Sequence, residues 1–141
     1  MSKTAFAAIV VLVLGFGSAA RAEEAGGKLT VELNRAQTVR AGCRISLVVR
    51  NELGGPVESA RLELVFFDIK ELVDTVTALE LGPIRAGKTQ VVQFDLTDRK
   101  CEDFSRLLVN RPLACKGAGL ADATCLERLA LSNRTKIAFG M

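Results

Sequence analysis

Hydrophobic and polar positions divide the chain into two unlike parts. Residues 5–17 form one unbroken apolar run containing Ile9, Val10, Val11, Leu12, Val13 and Leu14. From residue 29 onward the pattern alternates. Leu29, Val31 and Leu33 interleave with Thr30, Glu32 and Asn34, and Ile45, Leu47 and Val49 with Arg44, Ser46 and Arg50. Leu62, Leu64 and Phe66 interleave with Arg61, Glu63 and Val65, and Val92, Phe94 and Leu96 with Val91, Gln93 and Asp95. Period two with β-branched and aromatic residues predicts half-buried strands. Strands are expected at 29–34, 43–50, 60–67, 75–81, 88–97, 106–111 and 134–139.

Turn chemistry separates these segments. Asn51-Glu52-Leu53-Gly54-Gly55-Pro56 breaks the chain after the second strand, and Gly82-Pro83 through Gly87-Lys88 breaks it before the fifth. Asp122 is placed to cap a short helix over 123–129 between the last two strands. About seven short antiparallel strands with a turn at most joints predict an all-β, two-layer sandwich over 29–141, led in by a flexible Gly-rich segment at 23–28.

The apolar run near the start is shorter than the roughly 20 residues a membrane-crossing helix needs. Lys3 precedes it, and Ala20-Arg21-Ala22 follows as an A-x-A site. That order predicts a cleavable signal peptide over 1–22, cut between Ala22 and Glu23, and a periplasmic or secreted product without a membrane span. Paired arginines before the run are lacking, which favours the general secretory route.

Cys43, Cys101, Cys115 and Cys125 all follow the leader. An even number in an exported chain predicts two disulfides, with three connectivities open by counting. Zinc is disfavoured, because even the nearest pair, Cys115 and Cys125, is spaced far wider than C-x2-C.

The segments VVRNELGGPVESARLELVFFD and LGPIRAGKTQVVQFDL, between Cys43 and Leu96, resemble bacterial immunoglobulin-like modules. Together with LTVELN, GCRISLVVRN and RLLVNRPLAC, they make the chain similar to small exported proteins of alphaproteobacteria labelled by their signal sequence. The resemblance implies a fold and an exported location, and it carries no catalytic or binding residue. In an immunoglobulin-like arrangement the strands at 43–50 and 88–97 are antiparallel neighbours. Cys43 then meets Cys101, and Cys115 meets Cys125 across the connection between the last two strands.

Composition narrows the chemistry. The chain has no His, Trp or Tyr, and its only Met beyond Met1 is Met141. Most acid–base and nucleophilic sites enlist His, and copper sites use His, Met or free Cys. No cofactor or metal is expected. The formal net charge of +3 includes Lys3 and Arg21 of the leader, so the remainder is close to neutral and lacks the basic patch of a nucleic-acid binder.

Three functions remain. The leading expectation is a non-enzymatic interaction module or accessory subunit of the cell envelope, bound to another envelope protein. Its expected partner surface is Val48, Val65, Phe67 and Val91, which fall on strand faces assigned to solvent, with the first or last strand as an edge for strand pairing. Against this stands the ordinary tolerance of sheets for scattered exposed apolar groups. The second is a small-molecule binder with a pocket above about 300 Å³. The third is a hydrolase using carboxylates among Asp95, Asp98, Glu102 and Asp103, weighed against a plain solvated loop.

Overall fold

The computed structural model describes residues 26–117, 120, 125 and 127–141. Among the described residues, eight strands run β1 (Leu29–Val39), β2 (Gly42–Asn51), β3 (Val57–Asp68), β4 (Val73–Glu80), β5 (Thr89–Thr97), β6 (Phe104–Gly117), β7 (Leu129–Asn133) and β8 (Ala138–Gly140). A 3-10 turn, Cys101–Asp103, precedes β6. The fold is an all-β sandwich of two four-stranded sheets, ordered β5-β2-β1-β7 and β4-β3-β6-β8.

The alternating segments turn their apolar sides toward one shared core. Leu29, Val31, Leu33, Ile45, Leu47 and Val49 of the first sheet face Leu62, Leu64, Phe66, Leu107 and Val109 of the second. Phe66 sits at the centre, with its ring centroid 5.1 Å from Phe104 and 6.3 Å edge-on from Phe94. Asn51 is a fully buried polar side chain. Its amide donates to the carbonyls of Gly55 and Ile84 and accepts from the Leu53 N–H, which ties the 52–56 turn to the segment before β5. A buried polar side chain is stable only when so satisfied.

The sheets differ from the expected purely antiparallel set. β7 lies parallel to β1, and β8 lies parallel to β6. The last expected strand, 134–139, is mostly the crossover between β7 and β8, and only Ala138 and Phe139 of it lie in a strand. Asn133 causes the break: its Oδ1 accepts from the Thr135 N–H and hydroxyl, and its Nδ2 donates to the Ile137 carbonyl. This side chain–backbone turn lifts the chain off the first sheet and delivers it to the second.

β1 and β6 are longer than the pattern indicated, because bulges reset the alternation. In β1 the register slips between Leu33 and Arg35, so the next inward residue after Leu33 is Ala36. In β6 the slips fall at Ser105, Asn110 and Leu113. Each bulge inserts one residue and inverts the facing of those beyond it.

The disulfides pair Cys43 with Cys101 and Cys115 with Cys125, with Cα atoms 4.8 and 5.9 Å apart, as expected. Gly42, just before the first bridge, has φ of 145°, and a Cβ there would lie 2.0 Å from the Leu96 carbonyl oxygen. Only glycine fits that approach. In the expected lead-in, Gly27 packs onto Glu52, and the Lys28 carbonyl accepts from the Glu52 N–H. The expected leader with Ala20, Ala22 and Glu23 lies outside the described residues, as do residues 123, 124 and 126 of the expected helix. Two disulfides indicate an oxidising, non-cytoplasmic setting. No helix among the described residues is long and apolar enough to cross a membrane.

Candidate functional site

The site begins with unequal strand lengths. β7 covers β1 only from Leu29 to Leu33. Its last link is the Arg134 N–H donating to the Leu33 carbonyl, after which the chain turns away. From Asn34 to Val39, β1 has β2 on one side and, among the described residues, no strand on the other. Alternate backbone N–H and C=O groups therefore face outward along roughly 17 Å of edge.

A groove of 720 Å³ opens beside this edge. It is lined by Asn34, Arg35 and Ala36 of β1, by Arg134 to Ile137 of the crossover, and by Cys101, Glu102 and Phe104. The buried Phe104, Ile137 and Cys101 make its apolar floor. Arg35, Arg134 and Lys136 stand exposed on the walls. Arg134 is engaged by Glu32 at 3.0 Å, whereas Arg35 and Lys136 have no ion pair among the described residues.

One carboxylate belongs to the groove. Glu102 accepts from the Thr38 hydroxyl at 2.9 Å, and Thr38 accepts from the Cys101 N–H. The Glu102 carboxyl is held below its ordinary pKa by its own backbone N–H and then by Thr38. Glu32 at the groove's edge is likewise held low, first by the Asn34 amide and then by Arg134. The Cys43–Cys101 bridge anchors the turn carrying Glu102 to the start of β2, so it fixes the end of the groove.

The expected acidic cluster is dispersed. Asp95 and Asp98 line a second groove of 450 Å³ between β4 and β5, on the opposite flank from Glu102. Asp95 is gripped by Arg44 through two bonds of 2.8 Å, which lower its pKa. Asp103 accepts from the Lys100 N–H in the 3-10 turn. Among the described residues, no group of three His, Cys, Asp or Glu side chains could hold a metal. The carboxyls shifted in this cluster, Asp95 and Glu102, move down, whereas a general acid working near neutral pH needs its pKa raised.

The expected partner surface does not form one patch. Val48 and Val91 are cross-strand neighbours on the outer side of the first sheet. Val65 and Phe67 lie on β3, in the second sheet, on its outer side. The two pairs face away from each other across the core, because each sheet turns its alternate residues outward. Val65 is buried, flanked by Val76 and Leu108. The Phe67 ring is covered by the Arg106 guanidinium, 4.1 Å from its centroid. Only Val91 is largely exposed, at 62 %.

The groove residues were not singled out by period-two patterning. Arg35 and Ala36 lie past the bulge, and Arg134 to Lys136 sat inside an expected strand. The three-residue step from Leu33 to Ala36 is the signal that could have located them. Comparison with known protein families, curated proteins and solved structures finds no match.

Proposed function

We propose that this is an exported, non-enzymatic interaction module of the periplasm, and that it binds an envelope partner by adding one of the partner's strands to the open half of β1. The observation that carries the reading is the half-covered strand: β7 stops at Asn133 while β1 continues to Val39. Strand addition uses an unpaired edge for affinity and adjoining pockets for specificity, and here edge and groove adjoin. The disulfides and the leader-like apolar segment support an exported location, and the immunoglobulin-like resemblance fits a scaffold for such contacts. The carboxylate-based hydrolase has no support in the separated, low-pKa acids of the Asp95–Asp103 region.

A photo-reactive amino acid at Gln37, on the open edge, tests this in envelope preparations, with Val91 on the opposite flank as control. Specific adducts from Gln37 and none from Val91 are expected. Adducts only from Val91, or none from either, would remove the reading.

A second reading, a periplasmic small-molecule binder, is favoured by the groove volume of 720 Å³, within the usual range of about 300–1,000 Å³ for ligand pockets. It differs in requiring nothing of the β1 backbone.

A further inference from the structure

We infer that the strand accepted beside β1 is acidic, with carboxylates alternating with apolar residues. This rests on the strand-addition reading and names the chemistry of its ligand.

An extended chain shows its side chains alternately to opposite faces. Laid along Asn34–Val39, such a strand points one set of side chains toward the groove floor of Phe104, Ile137, Ala36 and the Cys43–Cys101 bridge. Those positions call for apolar residues of modest size. The other set faces outward, past the walls.

The walls carry the charge preference. Three cations, Arg35, Arg134 and Lys136, oppose one carboxylate, Glu102. Arg134 is already neutralised by Glu32, and Glu102 is engaged by Thr38. Arg35 and Lys136 line the groove without an ion pair among the described residues, two cations beside the place an added strand would occupy. A basic strand would meet them with like charge. A neutral strand would leave them unused. An acidic strand pairs with both, and complementary charge sets specificity and association rate at such rims.

The second groove lacks this character. Its Arg99 is bound to Asp74 and its Asp95 to Arg44. The exposed Ile69, Leu72 and Val73 at the β3–β4 hairpin are apolar but line neither groove, and nothing in the structure indicates what covers them.

Fluorescence anisotropy with three labelled eight-residue peptides tests the inference on the chain from residue 23 onward. The first alternates Glu with Val, the second replaces each Glu by Lys, and the third is the Glu peptide N-methylated at alternate backbone amides. The Glu peptide is expected to bind, the Lys peptide at least tenfold more weakly, and the N-methylated peptide not measurably. The double variant Arg35→Glu, Lys136→Glu should lose tenfold or more of the Glu peptide's affinity. Both side chains are exposed, so the variant folds, which its circular dichroism checks.

Equal binding of the Glu and Lys peptides, abolished by N-methylation, would leave strand addition standing and overturn the acidic preference. Equal binding of the Glu peptide and its N-methylated form would overturn strand addition and favour a simple anion groove. Binding unaffected by the double variant would place the peptide elsewhere and overturn the inference. No binding by any peptide would count against both readings.

Discussion

Removing the bridge between Cys43 and Cys101 should cost more stability than removing the one between Cys115 and Cys125, although both join buried sulfurs. The reason lies in the unfolded chain. The first bridge closes a loop of 58 residues and the second a loop of 10. On the chain-entropy relation the first restricts the unfolded ensemble by about 14 cal/mol/K and the second by about 9, or about 4 and about 2.7 kcal/mol at 25 °C. Compact denatured states lower both figures, but they leave the order intact. The loops do not overlap in sequence, so the effects should add. A small domain's total stability is about 5–15 kcal/mol, so losing both bridges brings the fold near its limit. The assay is urea unfolding of Cys43→Ala/Cys101→Ala and of Cys115→Ala/Cys125→Ala beside the parent. The denaturant slope should rise in the first variant, because its unlinked denatured chain exposes more surface. A loss below about 1 kcal/mol for the long loop, or a reversed order, would refute the reasoning.

Two further outcomes follow from buried and surface polar groups. Asn51→Ala leaves the Gly55 and Ile84 carbonyls and the Leu53 N–H without their partner, and should cost at least about 2 kcal/mol by urea unfolding; a neutral result would show that other groups take over these bonds. The carboxyls of Glu32, Glu63, Asp95 and Glu102 are all held below their ordinary values in the fold, Glu63 by Arg111 and then by Asn110. Groups with lowered folded pKa contribute stability above their unfolded values, about 4, and lose it as pH falls through the folded ones. Unfolding midpoints should therefore hold from pH 7 to about 5 and fall below about 4, with a weaker fall at high salt because the pairs are exposed. A midpoint that rises on acidification would contradict the assignment.

The layers of the fold were legible because burial writes directly into alternation. The segments around Leu29–Leu33, Ile45–Val49, Leu62–Phe66 and Val92–Leu96 read as strands and fold as strands. The disulfide pairing was legible too, since the order of strands brings Cys43 to Cys101 and Cys115 to Cys125. What failed to show was local. A bulge changes facing without changing composition, so β1 was cut short at Asn34 and β6 at Arg111. The Asn133 turn looked like the start of a strand because Thr135, Ile137 and Phe139 alternate. The expected partner surface is divided between the sheets for a third reason. Alternation within a strand tells which residues point outward, but not which of the two sheets they point outward from. Val48 and Val91 thus parted from Val65 and Phe67. The groove depends on these same features: it exists where a bulged strand outlasts its neighbour and a turn carries the chain across.

Amide hydrogen exchange with and without the Glu–Val peptide measures the central claim at the residues it concerns. Alternate amides between Arg35 and Val39 should slow on addition of the peptide, while those of β4 and β5 on the far flank stay unchanged. Unaltered exchange along Arg35–Val39 at saturating peptide would contradict the claim that this half of β1 is an edge awaiting a strand.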